Sequence, residues 1–361
     1  MSRFTFLQKS WALLALACLA VIAAVGGLQL ASEHQALQAQ GQRDLAAAHM
    51  GYDSLEAEDL RLMGALLDRL TQDNGLRAAF LARDRARLLA LAQPQFKAMQ
   101  DRYDITHFYF LDPPPSSDCF LRVHQPADFG DRIGRRTYRQ AVESGMGGEG
   151  KELGTTAFAL RSVRPWPSAD GKRVIGYMEL GEEIGHFLSD LKGRTGNDYA
   201  LLLDKRCLDP VLWLKACHAQ GRVSDWSERP VFVLANDTGV VAKQLQWDGV
   251  LDALPSEGKV LGLERVKGRA YLTAVFPVDD ASARVCGAVL VARDVTVLLQ
   301  QGRVGFVVAE AMALLALVLL GFLAGWLLGL GDVDPLASTG HGALRRAFAT
   351  LPEALARIWK R

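Results

Sequence analysis

Two runs of apolar residues bracket the chain. Trp11 to Leu30 reads WALLALACLAVIAAVGGLQL and Ala311 to Leu330 reads AMALLALVLLGFLAGWLLGL, each without a charge. About 20 apolar residues in a helix cross a hydrocarbon core roughly 30 Å thick, so both runs predict membrane spans. A cleaved signal peptide is the rival reading of the first run. Arg3 and Lys9 precede it, and Ala24 and Gly26 offer a small-x-small site. The run is nevertheless longer than the ~7–15 apolar residues such peptides carry. Glu310 falls near the outer end of the second span, close enough to the interface to be hydrated.

The pattern between the runs changes once. From Ser32 to about Met99 there is no strand alternation, and Ala, Leu, Gln, Glu and Arg dominate, all good helix formers. Leu60, Met63, Leu67 and Leu70 form one stripe, and Leu89, Ala92, Phe96, Met99 and Tyr103 a later one. Asp53 with Glu56 resembles a capping pair, and Asn74-Gly75 predicts a break. The first span therefore continues outward as one or two long helices packed on a sheet. Period-two segments follow. Strands are expected at 106–111, 119–124, 156–164 and 174–180, with helices at 135–144, closed by Gly145, and 182–191. A second unit repeats this in part: strands at 198–203, 231–235, 259–265, 270–278 and 285–292, and a helix at 210–220 that starts on Pro210. Short turns between neighbouring strands imply antiparallel sheets. The fold class is α+β: a long N-terminal helix and two antiparallel-sheet units, bracketed by two transmembrane helices.

Charge adds orientation. The chain has 361 residues, 41 Lys plus Arg, 40 Asp plus Glu, 50% hydrophobic and 22% charged residues, and a mean hydropathy of +0.08. A net charge of +1 gives no electrostatic footprint for nucleic acid. Ser32 to Arg303 carries 34 basic and 36 acidic residues, a solvated mixture. Arg3 and Lys9 at one end, and Arg345, Arg346, Arg357, Lys360 and Arg361 at the other, place both termini in the cytoplasm by the positive-inside rule. The expected organisation is a cytoplasmic N-terminus (1–10), a first span (11–31), a helical stalk (32–102), a membrane-distal unit (103–197), a membrane-proximal unit (198–303), a second span (304–330) and a short basic cytoplasmic tail (331–361). In the tail, Leu344, Phe348, Leu351, Leu355 and Ile358 repeat at helical spacing, which suits the inner membrane surface and its lipid.

This layout resembles the double Cache sensor domains of bacterial transmembrane receptors, PAS-like folds outside the membrane in chemoreceptors, sensor histidine kinases and diguanylate cyclases. The resemblance runs from about Ala31 to Arg303. It is carried by Tyr103-Asp104-Ile105-Thr106-His107-Phe108-Tyr109-Phe110, by Phe120 to Pro126 with Gly130-Asp131, by Glu152-Leu153-Gly154, and by Ile175 to Gly181. Arg135 to Ala141 is similar to the Arg-x-Trp-Tyr-x-x-Ala helix of ligand-binding Cache domains. Thr137 stands at the tryptophan position, so that motif's amine specificity does not carry over. The resemblance implies a sensor in the bacterial inner (cell) membrane, two-pass, with the sensor domain in the periplasm or outside. It also implies a homodimer and a ligand pocket between sheet and covering helix of the distal unit.

The residues themselves agree in outline. Arg122 and His124 share one strand face, Tyr177 and Glu179 another, and Arg161 interrupts an apolar run. Arginines in an apolar sheet need anionic partners, and guanidinium binds carboxylate bidentately. A small, carboxylate-bearing ligand is expected at Arg122, Arg135 and Arg161, with His124, Tyr138, Tyr177 and Glu179 around it. Glu152, Glu179 or Asp131 neutralising these arginines internally is the alternative.

Of the cysteines outside the spans, Cys207 and Cys217 flank a short helix and are the candidate disulfide, leaving Cys119 and Cys286 reduced. No metal-ligand spacing, phosphate loop or nucleophile elbow occurs, so no catalytic residue, metal or cofactor is expected and the protein is not read as an enzyme. About 31 residues follow Leu330, fewer than the ~50 of a small domain. The signal is therefore expected to pass to a separate cytoplasmic or membrane signalling protein. A membrane-anchored binding or scaffold protein without signalling, a degenerate receptor, is the alternative function.

Overall fold

With no proline before Pro94, nothing in the sequence stops the first helix at the end of the apolar run. In the computed structural model, which describes residues 3–154, 157–239, 244, 247 and 249–327, α1 accordingly spans Arg3–Leu70. The stretch around Asp53 and Glu56 lies inside it, so the capping pair expected there is not a helix start. Helices α2 (Asn74–Leu81) and α3 (Arg85–Tyr103) follow. Each begins on an aspartate, Asp73 or Asp84, that accepts a backbone N–H of the first turn.

Five strands form the first sheet: β1 (His107–Leu111), β2 (Cys119–Arg122), β3 (Gly148–Leu153), β4 (Phe158–Pro167) and β5 (Val174–Glu183), in the order β2-β1-β5-β4-β3, all antiparallel. Helix α4 (Arg136–Ser144) precedes β3, and α5 (Gly185–Thr195) follows β5. The second sheet comprises β6 (Asp198–Asp204), β7 (Phe232–Asp237), β8 (Lys259–Val266), β9 (Arg269–Asp279) and β10 (Val285–Asp294), ordered β7-β6-β10-β9-β8, with α6 (Pro210–Ala219) between β6 and β7. Strand β10 ends one residue before α7 (Thr296–Leu327), and the Asp294 carboxylate accepts the Thr296 N–H at 2.9 Å. The fold class is the one expected from sequence. Strand β3 was not: Gly-Glu-Gly-Lys-Glu-Leu has no apolar alternation, because it lies at the sheet edge.

Residues 34–300 form one compact unit. Strand alternation sends Phe108, Phe110, Leu121, Val123, Leu160, Met178 and Leu180 to one face of the first sheet. There they pack with Met63, Leu67, Leu76, Phe80 and Leu88 of the stalk helices. The second sheet sends Phe276, Val289 and Val291 into the same core. Polar ties add register. Asp44 on α1 accepts from Arg293 at 2.8 Å, and Asp68 lies 3.6 Å from Arg164. The described residues up to Glu33 and from Gln301 form a separate unit. Both of its helices are long and apolar enough to cross a membrane, and Leu16, Leu19, Leu28, Met312 and Leu319 stand exposed on them. The tail stripe from Leu344 to Ile358 lies outside the described residues.

The disulfide differs from expectation. Cys207 bonds Cys286, with Cα atoms 5.8 Å apart, and Cys217 is a buried free thiol. The cause is topological. Cys207 follows β6 and Cys286 lies on β10, and these strands are neighbours with Leu203 opposite Gly287. Cys217 instead faces the core from α6 with Trp213. Closeness in sequence was a weaker guide than strand pairing.

Candidate ligand-binding site

Strand β5 is central in the first sheet, and its alternation sets the site. Tyr177 and Glu179 point away from the stalk. Tyr109 lies opposite Glu179 on β1, Val163 opposite it on β4, and Arg122 opposite Tyr109 on β2. Helix α4 covers this face: Tyr138 and Ala141 pack with Tyr109, Leu111, Cys119, Val163 and Tyr177. The helix starts unusually. Arg135 at its N-cap offers no side-chain cap, and Glu152 of β3 supplies one, accepting from both the backbone N–H and the hydroxyl of Thr137 at 2.7 Å. That bond gives Thr137 a structural role at the position where the similar motif has tryptophan.

The electrostatic centre is Glu179, 0% exposed. Arg161 donates to Oε1 at 2.5 Å and Arg135 to Oε2 at 2.8 Å. Two guanidinium groups thus share one carboxylate, leaving one positive charge in excess. The Nε atoms of Arg135 and Arg161 are both buried and, among the described residues, have no hydrogen-bond partner. Tyr109 lies beneath: its ring centre is 4.6 Å from the Arg135 guanidinium carbon and 5.7 Å from that of Arg161, within cation–π range. Arg122 is farther along the row and is already neutralised, donating to both oxygens of Asp131 at 2.7 Å. This bond holds the Asp131 carboxyl below the usual range.

Two histidines line the other side of Tyr109. His124 contacts the Tyr109 ring at 4.8 Å and His107 at 4.8 Å, and its Nδ1 accepts the Phe108 N–H at 3.3 Å. Burial first, and then nearby arginines, push His107 down to about 3 and His124 to about 4. Both are neutral at pH 7. The unfolded chain, with ordinary histidines near 6.5, takes up these protons first as pH falls. Stability contributed above pH 6.5 is therefore lost progressively below it, down to pH 3–4. The melting temperature is expected to fall from pH 7 to pH 5, and less steeply in His124→Gln, which keeps an acceptor but not the titration. Equal slopes would contradict this reading.

Of the seven residues expected from sequence, the structure brings Arg135, Arg161 and Glu179 together. His124 borders the group across Tyr109. Tyr138 and Tyr177 form an edge contact at 5.2 Å, and the Tyr138 hydroxyl is committed to the Asp112 carbonyl at 2.8 Å. Arg122 stands apart with Asp131. Tyr109 was missed, although strand alternation in β1 already put it on this face. The group can hold and orient an anion. It shows no nucleophile: burial pushes the nearby Cys119 thiol up to about 11. A cleft of about 670 Å³ lies elsewhere, lined by Glu183, Gly185, Arg222, Asn236 and Asp237 among others. None of the seven residues lines it, and the buried donors make the Glu179 group the better candidate.

A family model described as the double sensory domain of two-component sensor kinase matches residues 38–299. Among solved structures, the periplasmic domain of Vibrio cholerae LuxQ is 11% identical, covering 71% of this chain and 99% of its own, with a TM-score of 0.40. The ligand-binding domain of the Campylobacter jejuni chemoreceptor Tlp3 in complex with L-valine is 11% identical, covering 73% and 95%, with a TM-score of 0.41. No curated protein matches.

Proposed function

Because this chain belongs to the double Cache family of sensory domains, we propose that it is a membrane-anchored sensor whose distal unit, residues 103–197, binds a small carboxylate-bearing ligand. The ligand's carboxylate accepts from the Nε groups of Arg135 and Arg161, and Tyr109 forms the floor. The observation that carries the reading is the pair of buried Nε donors, without a hydrogen-bond partner among the described residues, beside a carboxylate outnumbered two to one. An unpartnered buried donor costs about 1–3 kcal/mol, which a bound anion recovers. Signal transfer runs through the proximal unit, residues 198–303, whose strand β10 leads into α7 after one residue. Both helices at the ends span the membrane, the sensor lies outside the cytoplasm, and two copies associate.

A thermal-shift screen of the detergent-solubilised full chain tests the site. Ligand at about 100 times its Kd adds about 2.7 kcal/mol, a readable rise. Organic acids or amino acids are expected to stabilise the protein while their amides do not, and Arg161→Gln is expected to lose the response. If no acid stabilises it, or amides act equally, the arginines are an internal ion-pair network and the proposal fails.

A further inference from the structure

A second polar group lies on the opposite, stalk-facing side of β5. Glu182 is one residue from the end of that strand, His186 is in the first turn of α5, and Asp59 comes from the C-terminal part of α1. One ligand atom from each, two carboxylate oxygens and an imidazole nitrogen, lies within 4.8 Å of the others. No sequence spacing could reveal this, because His186 and Asp59 are 127 positions apart.

Three features distinguish the group from an ordinary ion pair. First, His186 Nδ1 donates to the Glu183 carbonyl at 3.0 Å. A carbonyl can only accept, so that nitrogen carries a proton, and Nε2 is the ring atom that faces the cluster and becomes a ligand once its own proton is displaced. This is the orientation that supporting hydrogen bonds give metal-bound histidines. Second, Nε2 is 3.4 Å from Asp59 Oδ2. That is long for a charge-assisted hydrogen bond, at about 2.7–2.9 Å. It is the edge of a tetrahedron with bonds of about 2.1 Å, the length of zinc–nitrogen and zinc–carboxylate bonds. Third, Glu182 is 1% exposed and its Oε1 is buried with no hydrogen-bond partner among the described residues. No Lys or Arg forms a salt bridge with Glu182 or Asp59 among those residues; His186 is Asp59's one ion-pair partner. Two carboxyl groups and an imidazole nitrogen thus converge where, among the described residues, no Lys or Arg pairs with them.

We propose that Asp59, Glu182 and His186 form a binding site for a divalent transition metal ion of the zinc type. One imidazole and two carboxylates leave a fourth tetrahedral position for water or another ligand. Imidazole favours zinc over magnesium or calcium, and zinc outranks manganese and ferrous iron at such donor sets. The ion joins α1, which continues from the first apolar run, to the joint between β5 and α5 that leads from the first sheet to the second. It therefore sets how firmly the stalk is held at that joint.

Zinc titration of the untagged, chelator-treated full chain in detergent tests the site. One zinc per chain and a higher melting temperature are expected. Cobalt in its place is expected to give the intense visible bands of tetrahedral coordination. Asp59→Asn and His186→Ala are each expected to weaken zinc binding by more than the roughly 10–100-fold that loss of a supporting hydrogen bond costs. Asp59 lies on the outer helix, so its variant remains informative if His186→Ala does not fold. Absence of stoichiometric binding, equal affinity in Asp59→Asn, or a six-coordinate cobalt spectrum would overturn the proposal.

Discussion

Glu179→Gln is expected to destabilise the sensor unit by about 3–5 kcal/mol, the usual result of removing one partner of a buried ion pair. The carboxylate is fully buried and is the counter-charge that Arg135 and Arg161 share. Glutamine retains the shape and leaves two cations without a counter-charge. Arg135→Gln should cost much less, because Arg161 still pairs with Glu179 and the Arg135 side chain is 21% exposed. Differential scanning calorimetry measures both. At about 2–4 °C per kcal/mol for a unit of this size, the glutamate variant should melt roughly 10 °C lower. A ligand carboxylate should restore more stability to it than to the wild type, since the anion then replaces the missing charge. A loss no larger than that of Arg135→Gln would show that the cations are hydrated, not buried.

Gly148→Ala is the second large effect, about 3 kcal/mol, the upper end of the usual cost of overpacking. A Cβ on Gly148 would lie 1.9 Å from the Thr137 carbonyl oxygen and 2.9 Å from the Ala141 nitrogen. These are backbone atoms of α4, so no side chain can rotate away and the helix itself must move off β3. Arg135 is the residue that precedes that helix and Tyr138 is on it, so ligand response should fall with stability. Gly134→Ala is the control: nothing lies within 4 Å of its Cβ and its φ is not positive. Urea unfolding of the two variants should separate them clearly, and similar midpoints would contradict the close approach of α4 to β3.

Much of the fold was legible because burial imposes periodicity. The stalk stripes through Leu60–Leu70 and Leu89–Met99, and nine of the ten described strands, present one apolar face to a core, while the two apolar runs are legible by their length and lack of charge. Strand β3 was illegible because its burial comes from Gly148 and Lys151, residues without apolar character. The site was legible as a face but not as a network. Alternation identifies Tyr177 and Glu179 as neighbours, yet it cannot show that Arg161 on β4 and Arg135 on a loop both turn to Glu179 while Arg122 turns to Asp131. Partner choice depends on strand register. The same holds for Cys207, whose partner lies 79 residues away on an adjacent strand, and for Glu182, which the sequence places in a helix but which lies in a strand, one residue from its end, close to Asp59 of α1.

Calorimetric titration of the full chain with the most stabilising carboxylate, at a temperature where all variants are folded, tests anion capture most directly. The cluster of Arg135, Arg161 and Glu179 carries +1 in the wild type, zero in Arg161→Gln and +2 in Glu179→Gln. The account predicts affinity about tenfold weaker or more in Arg161→Gln, equivalent to about 1.4 kcal/mol, and no weaker than wild type in Glu179→Gln. Equal affinities in all three proteins, or no binding by any carboxylate, would contradict it.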